Sequence, residues 1–464
     1  MNSKGILGKS KRIAIVFGTR SRSHSYVNAI SFRETDRECG TPPARVELET
    51  TKFRCTCPVC GDRTWLKAAL RPNCMGASTL DSARAGRIGI VGGGIAGLTA
   101  AIALARDERF EVVVYEKAPE ARGRGAALLV WSNAITALSS IGLADEVKNA
   151  AAALDVTEVR SASGELLSSL PIGTWSERFG APTVVIRRPV LLDILSAALP
   201  RATVKIGASL RSFTPGARGV RLRFEDGAVD DVDALIGADG LHSSVRRQLL
   251  GDEPTRAGGY DAWVGITPNR PEGLRAGVAT ATVGNGPRFW TAVLRDGSVF
   301  WYATLNRRGR PSIRRREELC EVFRDWPAPI AELITSTPDS DLIRTQIRDR
   351  LPVDEWGAGP VTLLGDAAHP STPDLGQGAC QAIESAIVLG ECVRGSAQIE
   401  GGFREYEQRR MPRTAAISRL CWMTASNSTI EGPLVCRLRD VAIRVGLESI
   451  ARSSLQWILA GHAQ

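Results

Sequence analysis

The chain has 464 residues, 43% of them hydrophobic and 23% charged. Those values suit a globular protein with a full core in two or three domains, and no apolar run approaches the roughly 18 to 20 residues of a membrane helix. The formal net charge of +9 is concentrated in residues 1–85, which hold 15 Lys+Arg against 7 Asp+Glu, so the main body gives no reason to expect a nucleic-acid partner.

Residues 1–85 show no sustained periodicity and are rich in Arg, Ser, Thr and Cys. They carry five of the ten cysteines (Cys39, Cys55, Cys57, Cys60, Cys74). In "CTCPVCG" the pair Cys57 and Cys60 has the spacing of half a zinc site. The other half would have to come from Cys39, Cys55, Cys74 or His24 without a second knuckle, so no metal is expected. The segment reads as a basic, disordered extension. It has no secretory n- and h-regions, its acidic cluster Glu34, Asp36 and Glu38 argues against an organelle-targeting leader, and Met75 is a candidate natural start. The other cysteines (Cys320, Cys380, Cys392, Cys421, Cys436) have no paired spacing, as expected of reduced, buried thiols in a cytoplasmic protein.

From Arg87 the texture changes. "RIGIVGGGIAGLTAAIALARD" predicts a strand, a tight turn and an Ala/Leu-rich helix. Gly92, Gly94 and Gly97 form G-x-G-x-x-G, with Ile95 and Ala96 opening the helix whose N-terminus would face a pyrophosphate. Glu116 ends the next strand, where a carboxylate binds ribose hydroxyls. An acid there favours FAD or NAD over NADP. Helical patterns follow near 131–152 and 187–199, β alternation over 203–225, and another strand at "VDALIGADG". Residues 255–310 carry tryptophans, tyrosines and turns, 315–340 read as helical, 361–364 as a buried strand and 377–460 as largely helical. The fold class expected is α/β: a Rossmann-type dinucleotide-binding domain (86–254, completed by 346–464 with C-terminal helices) with an inserted β-sheet lobe, 255–345.

Two segments exceed what a nicotinamide site needs: "GADGLHSSVR" and "GDAAHPSTPDLGQGAC". With "GGGIAG" they appear in the order seen in the class A flavoprotein monooxygenases, which the chain resembles over roughly 86–450. That family includes aromatic hydroxylases, urate hydroxylase and zeaxanthin epoxidase, with a para-hydroxybenzoate hydroxylase-like fold. The stretches "EKAPEARGRGAALLVWSNA" and "IRRPVLLDIL" also match.

The resemblance implies a set of roles. Glu116 resembles the adenosine-ribose acid, and Arg122 and Arg188 the arginines near the ribityl chain and pyrophosphate. Asp239 with Gly240 resembles the motif implicated in FAD and transient NAD(P)H contact, and Asp366 the carboxylate on the ribityl hydroxyls. It also implies a reaction: NADPH or NADH reduces FAD, O2 is captured as a C4a-hydroperoxide, and one oxygen enters an aromatic, heteroaromatic or polyene substrate. Gly125-Ala126-Ala127, Ser132 and Val264 depart from the usual pattern, and Val264 lies where the substrate is expected.

In "LGQGACQAIES" the backbone at Gly376, Gln377 and Gly378 is suited to face a flavin edge, with a helix end favouring the anionic reduced ring. Pro370 and Pro373 stiffen that turn, and Pro370, Gly376 and Gly378 are the expected catalytic platform. His369 and His242 read as bracing or structural. Tyr260, Trp263, Trp290 and Trp301 are the expected pocket aromatics. The C-terminal helical pattern reads as a packing helix or dimer surface in a monomer or homodimer, with no membrane contact. Competing readings are a flavin oxidase, reductase or halogenase on the same scaffold, or a non-catalytic FAD-binding protein. No Trp-x-Trp-x-Ile-Pro halogenase motif is present.

Overall fold

The computed structural model describes residues 86–119, 126–199, 203–217, 219–307 and 313–461. The extension 1–85, with its Cys57/Cys60 pair and Met75, and the cofactor candidate Arg122 lie outside the described residues.

β-branched runs build a six-stranded sheet. Its order is Gly357–Ala358, Val361–Leu363, Ala234–Gly237, Gly86–Val91, Phe110–Glu116, Thr203–Ile206, and all but the first strand run parallel. The four central strands, largely buried on both faces, read as continuous apolar runs and not as alternating ones. The helix Ile95–Ala105 is buried along its whole length. Ala96, Ala100 and Leu104 join the core against the sheet, while Leu98, Ile102 and Ala103 join a second core with Ile383 and Ile387 of the helix Gly378–Gly395. Its one polar residue, Thr99, returns its hydroxyl to the Ile95 carbonyl at 2.7 Å, so nothing inside is left unpaired.

A seven-stranded sheet forms the lobe, in the order Ile343–Asp349, Arg256–Thr267, Val299–Asn306, Arg288–Val293, Val278–Val283, Val156–Ser161, Leu166–Leu170. The last two strands come from before residue 255, because Val278–Val283 pairs in parallel with Val156–Ser161. The lobe is therefore discontinuous in sequence. One sheet face packs against the helices Arg316–Val322 and Ile330–Ser336 through Trp263, Phe289, Trp301, Phe323 and Leu333. Burying a side chain of this class contributes roughly 1.5–3 kcal/mol. The other face holds Ile266, Ala292 and Phe300, with Val264, Trp290 and Tyr302 only partly covered. That face looks toward Leu129 of the small sheet formed by Ala127–Val130, Val184–Arg187 and Ala152–Ala153.

Three long helices, Gly378–Gly395, Ile399–Ser428 and Pro433–Leu459, complete the chain. The last exposes Leu434, Leu438, Val441 and Val445 at helical spacing. Among the described residues no helix is long and apolar enough to cross a membrane.

Candidate functional site

The glycine turn is shaped by contact. Gly92 has φ +110°, and a Cβ there would lie 2.4 Å from the Ala238 carbonyl oxygen; at Gly97 one would lie 1.9 Å from that of Gly92. Neither position admits a side chain. In front of Gly94, the N-cap of Ile95–Ala105, there is open space. The first-turn N–H groups of that helix, at Ile95 and Ala96, have no partner within it, which makes its end an anion site. Glu116 is fixed over the turn: Oε2 accepts from the Gly93 amide at 2.6 Å and Oε1 from the Ala118 amide at 2.8 Å.

The second fingerprint is a network of short-range hydrogen bonds at a helix start. Both oxygens of Asp239 are taken, Oδ1 by the Ser243 hydroxyl, Oδ2 by the Ser244 amide (2.7 Å), the Ser244 hydroxyl (2.9 Å) and the Val245 amide (3.3 Å). Asp239 thereby holds the first two amides of the helix Ser244–Leu250, whose N-cap is Ser243, and Gly240 (φ +79°) lets the chain turn into it. Arg246, 2% exposed, sends Nη1 to the carbonyls of Ala367 (3.0 Å) and Ala368 (3.3 Å). The second fingerprint is thereby tied to the third.

The strand Val361–Leu363 delivers Asp366 through the short turn Gly365–Ala367. Asp366 keeps an exposed surface while neighbouring protein atoms still desolvate its carboxyl. Burial pushes its carboxyl up, partly opposed by the Arg188 guanidinium. Burial in turn lowers Arg188, against the attraction of Asp366 and Glu116. Arg188 thus lies within electrostatic reach of both Glu116 and Asp366, groups distant in sequence.

Beyond Asp366 the loop is held from both sides. The buried Pro370 carbonyl accepts from Ser418 at 3.4 Å, and Trp131 Nε1 donates to the Leu375 carbonyl at 3.1 Å. Gly376 has φ +61° and passes so close to Leu129 that a Cβ would approach its Cδ2 to 3.0 Å. Space is open at Gly378. Gln377 is fully buried and accepts at Oε1 from Asn133 (3.2 Å) and Gln381 (3.0 Å). Behind it Glu384, 0% exposed, binds Arg410 (2.8 Å), Arg413 (3.1 Å) and Asn133. Burial raises the Glu384 carboxyl, but the two guanidiniums outweigh it and hold it below the usual range. His369 contacts Ser385 Oγ at 3.0 Å, and burial drives it down to about 3, so it is neutral.

On the sheet side, Tyr260 and Arg288 (Nη1, 2.9 Å) both donate to Asp374 of this loop. Trp290 is partly buried on the same face, edge-on to Phe300 at 5.7 Å. Trp263 and Trp301, expected above as pocket aromatics, instead face the other way. Trp301 is 0% exposed, stacks on Phe289 at 5.3 Å and donates its indole N–H to Thr337 at 2.8 Å. Strand alternation puts Trp263 on that same face, opposite Val264.

Sequence reading missed the Arg288–Asp374 pair and the Glu384–Arg410 cluster. The second had a signal: Gln377, at the N-cap, and Gln381 and Glu384 fall at i, i+4 and i+7 in a largely apolar helix. The first had none, since its partners lie on separate elements. Among the described residues no three His, Cys, Asp or Glu side chains could hold a metal.

The donor set fits a long cofactor bearing a diphosphate and a polyol. It offers a free helix end, a carboxylate held over the glycine turn, an exposed carboxylate near Arg188, and two buried polar atoms, Gln377 Nε2 and Thr372 Oγ1, without partners among the described residues. Comparison with known proteins agrees. Residues 86–420 match the model of the FAD binding domain family. The chain is 35% identical over 358 residues to "Aurachin C monooxygenase/isomerase" of Stigmatella aurantiaca, covering 77% of this chain and 93% of the relative. It is 33% identical to "3-amino-4-hydroxybenzoate 2-monooxygenase" of Streptomyces cremeus, covering 77% and 91%. The Klebsiella pneumoniae HpxO structure with FAD and uric acid superposes with a TM-score of 0.74 at 28% identity, over 81% of this chain and 97% of that one.

Proposed function

The chain belongs to the FAD-dependent monooxygenases, and on that premise we propose that it uses NADH or NADPH and O2 to insert one oxygen into a flat, electron-rich ring. The balance is one ring C–H, O2, NAD(P)H and a proton giving the hydroxylated ring, water and NAD(P)+. FAD, when bound, supplies the two-electron reduction of O2 and the transfer of one oxygen atom.

The chain's own groups bind, orient and exclude water. Glu116 would hold the adenosine ribose, the Gly92–Gly97 turn the diphosphate, and Asp366 and Arg188 the ribityl region. The backbone at Gly376, Gln377 and Gly378 would face the ring, with Pro370 stiffening the loop. Trp290, Val264 and Tyr302 would wall the substrate on the far side, where an apolar surface keeps bulk water from the reacting atoms. The observation that carries this reading is Asp366: an exposed carboxylate within electrostatic reach of Arg188, at the start of a loop that Tyr260 and Arg288 of the sheet hold through Asp374.

The test is oxygen transfer. Purified protein carrying FAD is supplied with NADH or NADPH and a panel of hydroxylated aromatic and heteroaromatic rings under 18O2. The expected result is faster nicotinamide oxidation with some of these rings and one labelled oxygen in the product. Peroxide release with no labelled product from any ring would sink the proposal in favour of an oxidase.

A further inference from the structure

The buried cluster at Glu384 holds one anion against two cations. Glu384, whose side chain is 0% exposed, receives Arg410 Nη1 at 2.8 Å and Arg413 Nε at 3.1 Å. The other close acceptors of both arginines are uncharged. Arg410 donates through Nε to Ser385 Oγ at 3.1 Å and through Nη2 to Gln381 Oε1 at 2.6 Å. Arg413 donates through Nη2 to the Ile458 carbonyl at 2.7 Å and through Nη1 to the Trp457 carbonyl at 3.3 Å. Those two carbonyls lie in the last turn of the helix Pro433–Leu459, so Arg413 also caps that helix.

The neighbours do not restore the balance. Burial keeps His369 neutral by lowering it, and keeps Cys380 and Tyr406 neutral by raising them. Glu407, on the same helix as both arginines, is committed to Arg404 at 2.8 Å. Arginine does not give up its proton in a protein, and the carbonyl end of the last helix offsets only about half a charge. A net positive charge therefore stays behind the loop. Gln377, the N-cap of Gly378–Gly395, and Glu384 are seven residues apart, about 10 Å of helix. Asn133 and Gln381 fill that interval, each donating to both Gln377 Oε1 and Glu384 Oε1. A field crossing buried groups is screened much less than one crossing salt water.

We propose that Arg413, through the unbalanced charge it leaves at Glu384, raises the reduction potential of the bound flavin. The proposal rests on reading the backbone at Gly376, Gln377 and Gly378 as facing the flavin ring. Reduction moves a hydride, two electrons and one proton, from NADH or NADPH to FAD. It leaves NAD(P)+ and a cofactor with one more negative charge than before. A positive field favours that second state over the first. Arg413 touches no reacting atom; it is a positioning residue, and what it places is charge.

The test uses the full-length, FAD-loaded protein and measures the two-electron midpoint potential against reference dyes at fixed neutral pH without oxygen. Arg413→Gln removes one charge while Glu384 keeps Arg410. It should lower the midpoint by at least 30 mV or so, about a tenfold change in the equilibrium of a two-electron couple. Arg413→Lys keeps the charge and should stay near wild type. Glu384→Gln removes the anion and should raise the midpoint. Looser packing alone would not give opposite signs at two contacting residues. If one of the two Gln variants fails to fold or to hold FAD, the other decides, because each carries its own sign.

An unmoved or raised midpoint in Arg413→Gln overturns the proposal. So does the same downward shift in Arg413→Lys, or a lowered midpoint in Glu384→Gln. Oxygen transfer is scored separately with 18O2. The expected potentials without labelled product would sink the monooxygenase reading and leave the role of Arg413 standing; labelled product with unmoved potentials would do the reverse.

Discussion

Asp366 sits where burial and Arg188 pull its carboxyl in opposite directions, and a hydroxyl-rich ligand would relieve that tension by donating to it. A hydrogen bond to a charged group contributes roughly 1.5–3 kcal/mol. Asp366→Ala should therefore weaken FAD binding roughly 10- to 150-fold without unfolding the chain, read by flavin fluorescence titration alongside far-UV circular dichroism. Full retention of flavin would remove Asp366 from the site. The thiols give a second check. Burial pushes Cys380 and Cys421 up to about 12, so neither should react with a thiol reagent at pH 8 until denaturant is added. The places of Asp366, Glu116 and the glycines at strand ends and tight turns were legible in the sequence because each belongs to a short string whose meaning is local. The facing of Trp263 and Trp301 was not. Both faces of their sheet are covered by apolar groups, so alternation gives two sides without saying which is the pocket.

Element by element, the helix Gly378–Gly395 does the most work. It packs against Ile95–Ala105, opens behind the loop at Gln377 and carries Glu384 into a pair of arginines. Glu384→Gln would leave Arg410, 1% exposed, without its counter-charge. Breaking a buried pair in this way costs about 3–5 kcal/mol, which urea denaturation would register as a lower midpoint at unchanged slope. His369, beneath the same loop, sets a pH limit. Its folded-state value of about 3 lies below the ordinary 6.5, so the unfolded chain takes up the proton first. Stability should fall as pH drops from about 6.5 toward 3, with about 2 kcal/mol lost by pH 5. His369→Gln should remove that component, flattening the pH dependence of the unfolding midpoint relative to wild type; an identical pH profile would contradict it. The helix pattern itself was plain in the sequence. Its polar stripe was readable only as spacing, since the partners Arg410 and Arg413 belong to another helix.

For the molecule as a whole, the order of elements could be read but not their pairing. The strands Val156–Ser161 and Leu166–Leu170 look like part of the first domain in sequence, yet they edge the lobe sheet. Parallel pairing across so long a separation leaves no local mark. The family match begins at residue 86, and every group assigned to the site lies beyond it. A variant lacking residues 1–74 should therefore keep its FAD content and its turnover; loss of either would give that segment a part in the enzyme. The wide spacing also has a consequence in time. Glu116 and Asp366 are separated by roughly 250 residues, and at about 5–20 residues per second a ribosome needs roughly 12 to 50 s to cross that distance. For that interval the glycine turn can be complete while Asp366, the carboxylate proposed for the ribityl chain, does not yet exist. Nascent chains halted near residue 350 should hold no flavin, which makes cofactor capture one of the last events in the birth of this protein.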